Sequence, residues 1–468
     1  MNAPHPQRAS LMIKGDFAAR TLALVLSCIS TVHADTLSFS QCVDIALKQN
    51  PDLMGSHERI NQAQAGLSQA QGNRMPKVTA SLNAIGTNDA LNAFGMKLSQ
   101  RQATFNDFGA GQFNPGALSV APNNLNYPGF VHNFNTHVQV DVPIYSGGMI
   151  SGGIKQAQAY IAAAQSGDQA ARQQVIYQVL QAYEGVYAAR AYLSVTQRAE
   201  IAARSQVNMM QSMAKGGTIV KSDLLLEQVR LQDVLVQRDQ AENAVDSAID
   251  QLHMLLGMQL DQPLDVGEPI TVKPLGESLT VLSHTAEDNN PGIQALRHQV
   301  DADGANIDIA NAASKPQIGL MLRQDWNDAQ LGFAANSWTV GGSLSWTAFD
   351  GGITHAKIDQ AHATKNETLA RLQQAVARVD FQVADARRKA LESEKRLAQR
   401  QLALSQVEEA VQLVNKRYTS GVATITEQLD AQAELVKARA DVVSAEYDLA
   451  VQRASLKLAI GQLDPNSI

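Results

Sequence analysis

Residues 369–418 read LARLQQAVARVDFQVADARRKALESEKRLAQRQLALSQVEEAVQLVNKRY. Positions 369, 372, 376, 379, 383, 386 and 390 are Leu, Leu, Val, Val, Val, Ala and Ala. The same spacing continues through Ser393, Leu397, Arg400, Leu404, Val407, Val411 and Val414 to Tyr418, with Ser393 and Arg400 the only breaks before that tyrosine. A 3.5-residue repeat held over about seven heptads specifies a helix packed along a coiled-coil seam. A helix of about 65 residues is roughly 97 Å long at 1.5 Å per residue. The chain is therefore expected to build a wall or rod, not a globule.

On its C-terminal side the seam stops at Gly421, and a second helical pattern returns to Gly461. The returning helix carries small residues on its seam (Ala431, Ala438, Ala445, Ala459), so neighbouring backbones can approach closely. The same arrangement occurs earlier in the chain. Val175, Val179, Ala182, Val186, Ala189 and Leu193 lead through Thr196 and Glu200 to Ala203, Val207 and Met210. A turn at Gly216-Gly217 follows, and a return to Gly257.

The repetition covers the whole sequence. Asn50-Pro51 and Pro76 recur 240 positions later as Asn290-Pro291 and Pro316. Gly148, Gly217, Gln228 and Gly257 recur 204 positions later as Gly352, Gly421, Gln432 and Gly461. An offset held over so long a stretch means the enclosed helices accept no slip, because one inserted residue turns every later side chain by about 100°. The offset changes once, by 36 residues, between Pro76 and Gly148. The Gly-, Asn-, Phe- and Pro-rich stretch 86–134 accounts for it, against the short turn 325–337 in the second half, and insertions of this kind belong at solvent-facing loop tips.

Between the Asn-Pro helices and the long helices, each half has two alternating segments, expected as strands at about 77–86 and 134–145, then 316–325 and 338–349. Val78, Ala80, Leu82 and Ala84 share one face, as do Val138, Val140 and Val142, and Ile318, Leu320, Leu322 and Trp326. On the last strand Trp338, Val340, Gly342, Leu344 and Trp346 face one way, and Thr339, Ser343, Ser345 and Thr347 the other. Trp338 and Trp346 lie eight residues apart, roughly 26 Å along a strand. With the strand tilted, that fits the apolar band of a membrane barrel with an aromatic at each rim. A soluble hairpin with two core tryptophans is the other reading. If the strands do enter a membrane, four cannot close a barrel and an open edge cannot face lipid. Copies of the chain must complete the cylinder, and a dimer of eight strands or a trimer of twelve both satisfy the physics.

The 468 residues carry a net charge of −7 and only 5% aromatics, which gives no footprint for nucleic acid. Residues 1–34 are expected to be a signal peptide: Lys14 and Arg20 precede the apolar run Leu22–Leu26, and Val32-His33-Ala34 offers a cleavage site. Val25-Leu26-Ser27-Cys28 resembles a lipoprotein box, which would instead leave Cys28 acylated. Under the first cut Cys42 is the only mature cysteine, so no intrachain disulfide forms. After the signal no stretch of about 18 apolar residues appears. No nucleophile elbow, CxxC, HExxH or phosphate-cradling loop is present, and His355 and His362 read as surface residues, so no enzyme activity, metal or cofactor is expected. The expected layout is a first repeat at 35–257 with its helical hairpin at about 149–257 and tip near 215–218. A linker at 258–284 follows, then a second repeat at 285–461 with its hairpin at about 353–461 and tip near 419–422, and a tail at 462–468.

The ordered set Ala46-Leu47-Lys48-Gln49-Asn50-Pro51, Pro143-Ile144-Tyr145-Ser146-Gly147-Gly148, Arg417-Tyr418-Thr419-Ser420-Gly421, Leu429-Asp430-Ala431-Gln432 and Ala459-Ile460-Gly461 resembles the TolC-type outer membrane efflux proteins. The resemblance covers almost the whole mature chain. It implies a mainly α protein with a β-barrel part: duplicated coiled-coil hairpins forming an α-barrel, and four strands per chain contributing to a homotrimeric, 12-stranded transmembrane barrel. It implies a cell outer membrane location extending into the periplasm, and passive export from the periplasmic side to the outside. Its partners would be outer membrane lipid, a periplasmic adaptor docking at the tips around Gly217 and Gly421, and a proton-driven or ATP-driven inner-membrane pump. The cargo would be drugs, toxic compounds or metal ions, or alternatively protein in type I secretion.

The family pattern places acidic residues after the tip glycines, here Asp223, Glu427 and Asp430. Glu427 and Asp430 are i, i+3 neighbours, so three copies would form stacked acidic rings that favour cations. Glu427 also completes a capping box with Thr424, so a capping role stands beside the gate-lining one. Tyr418 matches the family's gate tyrosine, and its expected partner is Asp223. Ala423 stands where a member of the family has an arginine, which puts a charged latch in doubt and points to fewer bonds holding the closed end. The other class left open is a periplasmic coiled-coil structural protein without a pore.

Overall fold

A computed structural model describes residues 36–217 and 219–465. The expected signal peptide with Cys28, and the last residues of the tail, lie outside the described residues. The chain begins with β1 (Thr36–Leu37), α1 (Phe39–Gln49), α2 (Pro51–Gly72) and β2 (Lys77–Thr87). Then come α3 (Ala90–Ser99), the short α4 (Asn123–Asn126) and β3 (Val131–Tyr145). The first long hairpin is α5 (Met149–Lys215) and α6 (Lys221–Leu256). β4 (Asp265–Val266), α7 (Leu279–Asn289), α8 (Pro291–Ala312), β5 (Gln317–Asp328) and β6 (Ala335–Ser345) follow. The second hairpin is α9 (Ile353–Thr419) and α10 (Ile425–Ala459).

Both long helices have 67 residues, a length of about 100 Å. Each starts after a glycine pair in the left-handed region, Gly147-Gly148 and Gly351-Gly352, which lets a strand turn into a helix within two residues. The seam positions Val175, Val179, Val186, Ala203 and Val207 are buried, as are Val379, Val383, Ala386, Ala390 and Val411. α6 and α10 pack along the tip-side part of the long helices, while α2 and α8 pack along the part nearer the sheet.

The two Asn-Pro pairs splice these shorter helices end to end. Asn50 caps α2 by accepting from Asp52 N (2.9 Å), and its amide donates to Leu255 O at the end of α6 (3.1 Å). Asn290 accepts from Gly292 N (2.9 Å) and Ile293 N (3.3 Å) and donates to Ala459 O in α10 (3.2 Å). The incoming helix must turn out of the way. Gly461 does this at φ +73°, where a Cβ would come within 2.5 Å of Asn289 O. The apolar core lies around these splices: Phe39, Cys42 and Val43 pack with Val179, Tyr183, Leu252 and Leu256, and Leu282, Ala286 and Ile293 with Val383 and Ile460. Burial pushes the Cys42 thiol up to about 11, so it behaves as an inert apolar group.

The segment expected as a linker is shorter and better ordered. α7 starts at Leu279, capped by Ser278, so the second repeat has its own first helix inside that stretch. The remainder is tied down: β4 pairs in parallel with β1, Glu184 accepts from Ile270 N (2.6 Å), and Arg453 donates to Val272 O (3.1 Å).

The four strands form one antiparallel sheet in the order β2-β3-β5-β6, so β2 and β6 carry free edges. Register places Val78, Val140, Leu322 and Val340 in one row across all four strands, and the next outward row contains Val138 and Trp338. Trp338, Val340 and Leu344 stand exposed on this face. The opposite face is polar and cross-linked. Asn133 donates to Asn327 Oδ1 (2.9 Å), Asn135 to Asp325 Oδ1 (3.1 Å), and Arg323 Nε to Asp325 Oδ2 (2.8 Å). β6 ends at Ser345, so Trp346 falls just past the strand, where its indole donates to Ser314 O (3.1 Å) and remains exposed.

The long insertion is not a simple solvent loop. α3 lies against β3, and Gln100 at its end donates to His132 O (2.6 Å) and Asn133 Oδ1 (3.0 Å), on the polar face. Arg101 reaches across to Asn336 O on β6 (2.6 Å). The insertion therefore folds inward over the end of the sheet, and buries Asn133, Asn327 and Ala335 beneath it.

Asn290→Ala removes a helix cap and the splice together, and is expected to destabilise the helical part by about 1–2 kcal/mol. Asn290→Ser keeps a capping oxygen but cannot reach Ala459 O, so it should fall between the two. Urea unfolding followed by helical circular dichroism checks the order.

Candidate periplasmic gate

The two hairpin tips are built alike but fastened differently. Gly217 (φ +72°) and Gly421 (φ +74°) supply the left-handed residue each turn requires. Asp223 and Glu427 then occupy corresponding places in the first turns of α6 and α10. α6 has Val220 as its N-cap, without a side-chain bond. α10 has Thr424, whose hydroxyl accepts from Glu427 N (3.2 Å) and donates to the Glu427 carboxylate (3.3 Å). Arg417, at the end of α9, faces the same carboxylate at 3.6 Å. Thr424 caps the helix backbone, while the Glu427 carboxylate bonds the threonine hydroxyl and not the Thr424 N–H, so the reciprocal half of the capping box is not made. Ala423 is buried inside this turn, where its N–H donates to Arg417 O (3.2 Å).

Tyr418 lies near Asp223 but does not bond it. Its hydroxyl donates to Met210 Sδ on α5 (3.2 Å), and Asp223 instead accepts from the Ser222 hydroxyl (3.2 Å). Burial, and then the charges of Asp223 and Glu227, push the Tyr418 phenol upward. The expected tyrosine–aspartate bond is therefore replaced by a thioether contact, because Met210 fills the seam position opposite. Asp430, one turn beyond Glu427, is exposed, and its side chain makes no hydrogen bond or ion pair among the described residues.

A second bond between the two hairpins, beside the Tyr418–Met210 contact, is between glutamines. Gln206 on α5 donates to Gln428 Oε1 on α10 (3.0 Å), and Gln428 donates to Asn415 Oδ1 on α9 (3.1 Å). Gln428 is buried between them, and beside it lies Glu227, only 2% exposed. Neither stands out in the sequence. Amides and carboxylates on long polar helices look solvated unless the pairing of helices is known. The one available signal is position, since Gln428 lies between Glu427 and Asp430 but points to the opposite side of α10.

Residues 42–258 and 282–462 match the profile of the family described as "Outer membrane efflux protein". The chain belongs to that family. It is an outer membrane protein extending into the periplasm, in a family of efflux-system channels rather than enzymes. Among relatives of this outer membrane efflux protein, the toluene efflux pump outer membrane protein TtgI of Pseudomonas putida is 25% identical over 262 residues, 54% of this chain and 55% of TtgI. The alkaline protease secretion protein AprF of Pseudomonas aeruginosa is 26% identical over 196 residues, 40% of this chain and 41% of AprF. These matches span about half the length of each relative. The fold is also that of the Neisseria gonorrhoeae MtrE outer membrane channel in its open state, with a TM-score of 0.73, 19% identity, and coverage of 92% of this chain and 90% of that one.

Gln428→Ala breaks both amide bonds and should loosen the joined hairpins roughly tenfold, while Tyr418→Phe loses only a weak bond to sulfur and should change little. Protease cleavage rates at the tip around Gly217 check the ranking, and a larger effect from Tyr418→Phe would reverse it.

Proposed function

We propose that three copies of this chain form the passive exit duct of a tripartite pump that carries small molecules from the periplasmic side to the outside. The observation that carries this reading is the four-stranded sheet, apolar outside and polar inside, with both edges unpaired. In lipid each unpaired backbone group costs several kcal/mol, so β6 of one copy must pair with β2 of the next. An eight-stranded dimer would have its interior filled by side chains such as His137, Gln139 and Arg323, whereas twelve strands leave an aqueous bore. The homotrimer also places three pairs of 67-residue helices side by side as a continuous tunnel wall.

In this reading the narrow end lies at the tips. Asp430 faces the bore and forms an acidic ring, with Asp223 and Tyr418 nearby; Glu427 contributes charge to the same end beside the Thr424 cap. The tips at Gly217 and Gly421 dock a periplasmic adaptor, and the inner-membrane pump supplies the energy. The duct performs no catalytic step and needs no cofactor. Drugs, toxic compounds or metal ions are the cargo class, in keeping with the likeness to TtgI. The likeness to AprF favours a second reading, the exit duct of a type I protein secretion system.

Single channels in planar bilayers test the duct. The wild-type protein should be cation-selective and blocked by divalent cations from the tip side. Asp430→Asn should weaken that block at least severalfold, since an acidic ring sets both properties. Unchanged block and selectivity would remove Asp430 from the bore.

A further inference from the structure

The carboxyl group of Glu227 is the least satisfied buried polar group near the tips. It lies on α6 in the wall of a partly open cavity of about 60 Å³ lined by α5, α6 and α10, and its Oε2 has no hydrogen-bond partner. Gln206, Gln428 and Gln432 line the same cavity, with alanine, valine and leucine side chains making up most of the remaining wall. Two of these amides are committed elsewhere: Gln206 donates to Gln428, and Gln428 to Asn415. The cavity therefore lies directly behind the glutamine bond between the two hairpins.

The charges that face Glu227 are few. On its own helix Arg230 lines the cavity without forming an ion pair with it, and Asp223 lies one turn earlier. From α9 the Tyr418 phenol lies within electrostatic reach of Glu227. α5 and α10 contribute no charged side chain to the cavity wall. Burial pushes the Glu227 carboxyl up, and Arg230 opposes this to a smaller degree.

We propose that Glu227 is a proton-operated lock on the hairpin junction, closed when the carboxyl is neutral and released when it ionises. This rests on the duct reading for its consequence but not for its test. A neutral carboxyl has an O–H that can donate to an amide oxygen, and it loses little by enclosure in a cavity with room for a few waters. A carboxylate only accepts. It needs donors or bulk water, and the amides of Gln206 and Gln428 already hold the junction together. Ionisation therefore favours withdrawing α10 from α5 so that water reaches the group.

The sign follows from linkage. The closed junction holds the proton more tightly than the opened one, where the carboxyl has its ordinary value near 4.3. Closure is fully favoured below that ordinary range, and the advantage is lost as pH rises through the raised value of the closed state. Between those two values each pH unit changes the closed-to-open ratio by about tenfold per chain.

The test uses the full-length protein in detergent with a single added thiol at the cavity wall, Ala199→Cys, and a water-soluble maleimide. Buried Cys42 serves as the internal unreactive thiol. Labelling of the Ala199→Cys protein should rise severalfold from about pH 4 to pH 8, after correction for thiolate fraction measured on the unfolded chain. Glu227→Gln and the apolar Glu227→Leu, each placed in that background, should both keep the slow rate across that range, with two variants guarding against a folding defect in one. Bilayer conductance should follow the same pattern. A pH response that persists in both variants, or that moves to Asp223→Asn instead, overturns the proposal. Absence of any conducting channel would overturn the duct, while the labelling result would still decide the role of Glu227.

Discussion

An asparagine side chain has two ends, and each half of this protein uses both. The oxygen of Asn50 or Asn290 caps one helix, and the nitrogen grips the last carbonyls of another. Proline fixes the start of the outgoing helix, and Gly257 or Gly461 clears the backbone of the incoming one. Two helices from distant parts of the sequence are thereby laid end to end along one 67-residue partner. Without the splice, the long helix would have a continuous flank along only half its length. The heptad seam can stay in phase from the sheet to the tip because this junction holds each shorter helix at a fixed height.

The elements legible in the sequence are those governed by period. The seam from Leu369 to Tyr418 and the alternation from Trp338 to Leu344 each repeat a local rule, and local rules need no knowledge of partners. Duplication strengthens the reading, since Asn50 and Asn290 carry the same geometry in both copies. The site is less legible because its bonds depend on which helices meet. Gln206 and Gln428 lie 222 positions apart and look like solvated residues on their own helices. Tyr418 does lie near Asp223, but its bond goes to Met210, a residue that otherwise reads as ordinary seam packing. The insertion 88–130 has turn residues and no period, so neither α3 nor its inward fold over Asn133 can be read from it.

The two repeats share a frame but divide its tasks. The second tip has a capping threonine, an ion pair and a buried glutamine; the first has none of these at the matching positions. The sheet end differs in the opposite sense, since the first repeat carries the folded insertion and the second a short turn. A duplicated framework tolerates this because each Asn-Pro splice is satisfied within its own half. Variation is confined to the two ends, where the chain meets solvent or other molecules.

The separation in sequence between paired elements also sets an order of events for a newly exported chain. Each long hairpin joins neighbouring segments, so it can zip up from its own turn as soon as it emerges. The central strand pair is different: β3 must await β5, which lies beyond the entire first hairpin. Even then the ribbon's outer strands, β2 and β6, have no neighbours within the chain. The chain thus crosses the aqueous compartment as a stiff stem bearing a sticky, unfinished flag, and its survival depends on whatever shields that flag before insertion.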